Sequence, residues 1–307
     1  MKNQQPSNHN LILPVGTQVV TRVAVLIDGL ERSCGTLGVV VKALDHSHSY
    51  LVQFPDGTQA LLRREELTIH KQWQAKSWQN NTNFDQSHLY NYVIYRCIVG
   101  SKAYGLDDEN SDTDRRGIYL PPAELHWSLS NLPEQLDNKA TEECYWEMQK
   151  FLTLALKANP NILECLYTPL VETVTPLAEE LLAMRQLFLS QLVYQTYNGY
   201  VMSQFKKLEQ DLRTKGVIKP KHAMHLIRLL LSGITVLREG TLIVRVEENK
   251  DKLLLIRRGE MPWQEVNAWR LNLHQEFEAA FNQTTLPESP DYQQVNDFLI
   301  KARRSMI

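Results

Sequence analysis

Residues 100–117 read Gly100-Ser101-Lys102-Ala103-Tyr104-Gly105-Leu106-Asp107-Asp108-Glu109-Asn110-Ser111-Asp112-Thr113-Asp114-Arg115-Arg116-Gly117, and this stretch decides the fold. Just ahead of it, Tyr92-Val93-Ile94-Tyr95-Arg96-Cys97-Ile98-Val99 is the β-branched and aromatic run of a strand in a covered sheet. Gly100-Ser101 then falls at the strand's end. A glycine there lets backbone N–H groups approach an anion, and the serine adds a hydroxyl donor, so the turn suits the terminal phosphates of a nucleotide. Past Gly105 the chain runs through Ser111-Asp112-Thr113-Asp114 into Gly117-Ile118-Tyr119-Leu120, a second strand. Residues two apart on a strand share a face, so Asp112 and Asp114 are expected to present paired carboxylates, their Cα atoms about 6–7 Å apart. Such a pair suits Mg²⁺, which keeps one or two carboxylates together with substrate phosphates. Two ions about 3.5–4 Å apart would activate an attacking oxygen and neutralise a leaving pyrophosphate. Alone, Asp-X-Asp is commonly a solvated turn; here a Gly-Ser turn precedes it and a strand follows.

The strings Gly-Ser-X-Ala-Tyr-Gly-Leu at 100–106 and Ser-Asp-X-Asp-X-Arg-Gly at 111–117 resemble the signature of the DNA polymerase β nucleotidyltransferase superfamily, and within it a bacterial YcgL-like branch. The resemblance runs from about Tyr92 to the C-terminus and includes Lys150-Phe151-Leu152 and Asn159-Pro160-Asn161-Ile162-Leu163-Glu164. It implies metal-dependent transfer of a nucleoside monophosphate from an NTP to an acceptor hydroxyl. Gly100 and Ser101 would hold the triphosphate, and Asp112 and Asp114 the metal, Mg²⁺ with Mn²⁺ as its substitute. Tyr104, Ser111 and Arg116, inside the signature, join the nucleotide-binding set. The superfamily's third carboxylate, which can accept the attacking hydroxyl's proton, falls at Glu142 or Glu143, ahead of a helix beginning near Met148. Consecutive strand residues face opposite sides, so only one can serve; Glu142 is preferred, with Glu147 assigned to the helix.

The same resemblance has a helical region closing over the nucleotide. A helix from about Pro220 carries Lys221, His225 and Arg228 on one face; Lys221, His222 and Arg228 are the expected phosphate contacts, and Arg257 or Arg258 lies within reach. From Lys206 to Arg228 there are seven lysines and arginines against Glu209 and Asp211, which is either a phosphate-binding face or a solvated helix surface. For Asn161 a helix-capping role is preferred to a ligand contact.

The chain has 307 residues, 43% hydrophobic and 22% charged, with a net charge of −2. That excludes a globally basic nucleic-acid coat and leaves room for more than one domain. Cys34, Cys97, Cys144 and Cys165 are widely spaced and fit no metal motif, so they read as thiols of a reducing cytosol. No apolar signal core or run of about 20 apolar residues occurs, so a cytoplasmic protein without membrane contact is expected.

The organisation expected is α+β. Residues 13–70 alternate short strands with turns at Asp28-Gly29, Cys34-Gly35 and Pro55-Asp56-Gly57, the spacing of a small SH3-like barrel; Gly38–Val41 and Tyr50–Gly57 resemble KOW or Tudor barrels. Residues 71–86, with Trp73 and Trp78, read as a linker. A catalytic domain with a mixed sheet follows over 87–171, then a helical domain over 172–307. The acceptor most consistent with the barrel and the basic helices is an RNA 3′ end, as in tRNA. A protein side chain is the competing acceptor, as in AMPylation, and a non-catalytic RNA-binding protein that keeps the fold is the rival from another class. Oligomeric state is not encoded in any motif.

Overall fold

A computed structural model describes residues 12–27, 29–44, 49–74, 86–109, 111–129 and 132–307. They divide between two compact units, Met1–Phe84 and Asp85–Ile307.

The first unit is built from strands β1 (Gln18–Thr21), β2 (Val25–Ile27), β3 (Leu30–Arg32), β4 (Leu37–Leu44), β5 (Ser49–Gln53), β6 (Gln59–Arg63) and β7 (Leu67–Ile69). Five form an antiparallel sheet in the order β6-β5-β4-β1-β7, and β2 pairs with β3. Strand alternation drives Val19, Val40, Tyr50, Val52 and Leu62 into one core with Phe54. Tyr50 and Phe54 are both buried, so neither offers a face for base stacking. Residues 70–74 form a helical turn; Trp78 and most of the expected linker lie outside the described residues.

In the second unit, β8 (Val93–Val99) leads into the short helix α1 (Ser101–Tyr104), and β9 (Asp114–Tyr119) returns antiparallel beside β8. After α2 (Ala123–Trp127) come β10 (Gln135–Asn138), β11 (Glu143–Glu147), α3 (Met148–Leu156), α4 (Pro160–Tyr167) and β12 (Val171–Val174). The sheet order is β10-β11-β9-β8-β12, with β9 and β11 parallel and the other pairs antiparallel, so the sheet is mixed as expected. Gly117 sits at the centre of β9 because nothing larger fits: a Cβ there would fall 1.9 Å from the Tyr95 carbonyl oxygen. The glycine that closes the Ser-Asp-X-Asp-X-Arg-Gly string is therefore a packing requirement of the sheet.

Apolar faces of α3 and α4 cover the sheet through Phe151, Leu152, Ala155 and Leu163, and the Tyr95 hydroxyl donates to the Cys165 carbonyl at 2.6 Å. Asn159, rather than Asn161, is the N-cap of α4: its side chain accepts from the N–H groups of Asn161 (3.0 Å) and Ile162 (3.4 Å). Glu147 ends β11 and caps α3, accepting from Gln149 N at 2.9 Å, while pairing with Arg303 at 2.8 Å.

The rest is helical: α5 (Pro176–Ala183), α6 (Leu192–Lys215), α7 (Pro220–Glu239), α8 (Lys250–Arg258), α9 (Trp263–Gln283) and α10 (Tyr292–Arg304). Thr175 caps α5 ahead of Pro176, as that dipeptide predicts. One hydrophobic core runs from Ile94 through Ala302, so the sheet and the helices share a single interior across the boundary expected at 171–172. Among the described residues no helix is long and apolar enough to cross a membrane.

Candidate active site

The β8–β9 register places Val99 opposite Asp114, so the residue after β8 meets the first residue of β9. That residue, Gly100, has φ +72°, ψ −152°, a backbone state costly for any side-chain-bearing residue. It is also crowded: a Cβ on Gly100 would lie 2.7 Å from Asp114 Oδ2. The Gly-Ser turn and the second aspartate thus close on each other. Ser101 starts α1, whose first-turn N–H groups have no acceptor within the helix.

Asp114 pairs with Arg116 Nη2 at 3.1 Å, and Arg116 Nη1 donates to the carbonyls of Arg115 (2.8 Å) and Glu142 (2.9 Å). Arg116, expected on the nucleotide, is instead committed to bracing Asp114 and the turn before β11. Asp112 is exposed and precedes β9; strand alternation therefore fixes Asp114 but not its partner, contrary to the expectation of two carboxylates on one strand. The third carboxylate also departs from expectation. Glu142 occupies an exposed turn with φ +53°, outside β11. Glu143 opens β11 in register with Arg115, and so projects to the face opposite Asp114. The next residue on Asp114's side is Cys144, in register with Arg116; burial, then the nearby Asp137 charge, push its thiol up to about 12. Among the described residues no three of His, Cys, Asp and Glu are gathered to hold a metal. What is present, Asp114 beside a turn with no room for a Cβ and Asp112 exposed two residues earlier, has the oxygen donors that suit a hard cation taking its remaining ligands from phosphates and water.

Three ties hold this arrangement. Lys102 Nζ of α1 donates to Thr113 Oγ1, between the two aspartates. Arg257 of α8 pairs with Asp108 at 2.6 Å and donates to Ser111 Oγ at 3.2 Å, while Ser111 Oγ also donates to Asp108 Oδ1 at 2.9 Å. Ser111, expected on the nucleotide, is thus part of a latch on the loop that carries Asp112. The third tie is buried. Tyr104 Oη donates to Glu164 Oε2 at 2.6 Å, Glu164 pairs with Arg228 at 2.7 Å, and the Arg228 guanidinium lies 3.7 Å from the Tyr104 ring centroid. Burial, then the Glu164 charge, hold the Tyr104 phenol well above its ordinary range; on Arg228 burial is the largest influence and opposes the charge, but Glu164 together with Tyr104 and Tyr197 raises its pKa overall. Tyr104 and Arg228 were both expected on the nucleotide; at 5% and 7% exposure they are enclosed with Glu164, because charge carried into a helical core must be paired.

Lys221 is exposed and His222 half-buried at the start of α7. His225 beside them is depressed to about 4 by burial, then by Arg228, Lys221, His222 and Arg257. On the other side of α1, Val246 N donates to the Tyr104 carbonyl at 3.0 Å.

With the turn, the aspartate and their supports assigned, the chain can be set beside known proteins. Residues 68–301 match the model of a family described as the RNA repair pathway DNA polymerase β family, RlaP. The chain belongs to that family. The match spans β8 through most of α10 and so includes the Gly100 turn, Asp114 and all three ties. The chain is also similar to the uncharacterized protein YcgL of Bacillus subtilis (strain 168), 33% identical over 82 residues, 26% of this chain and 32% of that relative. The chain thus spans about a third of the relative's length. RlaP membership supports nucleotidyltransferase-type chemistry.

Sequence reasoning missed Lys102, Asp108 and the role of Glu164. Lys102 had a signal, being the variable residue directly after the Gly-Ser pair. Asp108 and Glu164 had none, since their partners lie 149 residues away at Arg257 and 64 away at Arg228.

Proposed function

We propose that this chain is a metal-dependent nucleotidyltransferase that moves a nucleoside monophosphate from an NTP to the 3′ hydroxyl of an RNA, tRNA included, and releases pyrophosphate. The observation that carries the reading is the contact between turn and carboxylate: at Gly100 even a methyl group would collide with Asp114 Oδ2. Phosphate oxygens gripped by the turn would therefore lie beside Asp114. Membership of a family named for RNA repair supports RNA as the acceptor.

Bound Mg²⁺ or Mn²⁺, held by Asp112 and Asp114, would supply charge neutralisation and polarisation of the α-phosphoryl group. The chain's own residues do the rest. Gly100 and Ser101 orient the β- and γ-phosphates; Lys102 holds Thr113, the residue between the two aspartates. Arg116 keeps the Asp114 carboxylate facing the turn. Lys221 and His222 stand at the mouth of α7 as phosphate contacts. The attacking hydroxyl needs a proton acceptor, and the candidate is Glu142, whose carbonyl accepts from Arg116 Nη1 at 2.9 Å and which directly precedes the Glu143–Arg115 register pair. The N-terminal sheet is read as a small SH3-like barrel that carries a partner-binding surface.

Incubation with α-labelled NTPs, Mg²⁺ and total RNA or lysate tests the reading. Label on RNA, abolished by Asp114→Ala, is the expected result. Label on protein would redirect the acceptor to a side chain, and RNA binding without label under any NTP would support a non-catalytic role.

A further inference from the structure

Exposed basic residues gather on the second half of α6, the start of α7 and the end of α8, and α8 reaches the loop bearing Asp112. On α6, Lys206 and Lys207 are exposed, and across the turn at 216–219 so are Lys219 and Lys221. Among the described residues none of these four lysines has an ion-pair partner; Lys215 alone is neutralised, by Asp211 at 2.6 Å. Lys207, Lys219 and Lys221 converge on His222, which burial and then these neighbours hold below its ordinary value, Asp211 opposing them. The cluster continues at Gly259, where a Cβ would stand 3.5 Å from Pro220, bringing the end of α8 and its exposed Arg258 against the start of α7. One residue further in, Arg257 reaches Asp108 and Ser111.

Nothing in packing requires this. Exposed like charges repel, and a chain of net charge −2 has acids enough to intersperse. Lysines gathered beyond what Asp211 can neutralise are the pattern of a surface made for a polyanion. Its extent argues for a polyanion longer than a free triphosphate: Lys207 stands about 12 Å along α6 from the helix's last residue, and the exposed lysines then resume across the turn at Lys219 and Lys221 before α8.

We propose that the α6–α7 turn and the C-terminal end of α8 form a docking track for the sugar-phosphate backbone of a single-stranded RNA, delivering its 3′ end to the Gly100–Asp114 cleft. This rests on the nucleotidyltransferase reading for its direction, but not for its existence. Lysine side chains there would contact phosphates and leave the bases unread, so binding is sequence-tolerant.

The test is fluorescence anisotropy of the full chain with a labelled oligonucleotide of about 20 nucleotides between about 50 and 200 mM salt. The proteins are wild type, the triple variant Lys207→Glu/Lys219→Glu/Lys221→Glu, the matching triple Lys→Arg variant, and Asp114→Ala. The charge-reversed protein should lose at least about tenfold in affinity, with a salt slope shallower by about 2, while the arginine triple binds as wild type. Asp114→Ala should bind RNA normally. A reversed protein that keeps its thermal melt and still binds RNA as wild type does would overturn the track. Wild-type binding no stronger to RNA than to polyglutamate would also overturn it, in favour of an acidic protein. Nucleotide transfer is scored separately: no label transferred by the wild type under any NTP, with salt-dependent RNA binding intact, defeats the enzymatic reading and leaves the track standing.

Discussion

Asp112 and Asp114 are only two residues apart, yet they are held by different physics. Asp114 is the first residue of a central strand, pinned by its register with Val99, by Arg116 and by the bare Cα of Gly100. Asp112 rides an exposed loop, held indirectly through Thr113 on one side and the Asp108–Ser111–Arg257 latch on the other. One side is preorganised by the sheet and the other depends on cations contributed by helices. The difference teaches that a short catalytic signature contains both covalently local information and sockets for distant residues, and only the first kind can be read directly.

The comparison can be broken from the helical side. Replacing Arg228 by Met leaves Glu164 and Tyr104 buried without their cation, and loss of one partner from such a pair costs about 3–5 kcal/mol. Urea unfolding should report that loss, and Glu164→Gln placed on top should recover part of it.

From the strand side, Gly100→Ala forces a methyl group against Asp114 and into a disfavoured φ. Turnover should drop about 100-fold with the unfolding midpoint much less affected. An alanine variant with normal turnover would show that the turn and the carboxylate do not act together.

Acid sharpens the contrast between the buried tie and the open cleft. His225 is depressed to about 4 in the folded chain against an ordinary value near 6.5. The unfolded chain therefore takes up the proton first. Stability is held above about pH 6.5 and falls as pH drops toward 4, by on the order of 2 kcal/mol for this residue. Denaturation midpoints measured at several pH values should show that slope, and His225→Asn should flatten it. His126, depressed to about 4 by burial and then Arg303, adds to the same slope and remains when His225 is removed.

The smallest effect belongs to the loop side. Arg257→Gln removes the latch charge, and transfer should slow by about tenfold, with raised Mg²⁺ requirement and near-normal stability. Loss confined to the NTP KM, at unchanged metal requirement, would place Arg257 on the triphosphate instead.

The legible part of the site follows from this division. Tyr92–Val99 as a strand, Gly100-Ser101 as its terminal turn, and helices starting at Met148, Pro176 and Pro220 all rest on local propensity and patterning, and the structure has them there. Asp112 on a strand and Glu142 on its neighbour failed for one reason: alternation was extended beyond the first hydrogen-bonded residue, where turn geometry takes over, as the positive φ of Glu142 records. Tyr104 was assigned to the ligand by its place in the signature and Arg228 by its helix face, and neither says what covers the side chain. Only the core formed by residues far apart in sequence shows that this face points at Glu164.

The central claim is that the Gly100 turn and Asp114 form one nucleotidyl-transfer cleft. The most direct measurement is transfer of α-phosphate label from NTP to RNA in Mg²⁺ by wild type and by Asp114→Asn, an isosteric change that removes the charge. The account predicts labelled RNA from wild type and at least about a 1,000-fold lower rate from the variant. Equal rates from the two proteins would contradict it.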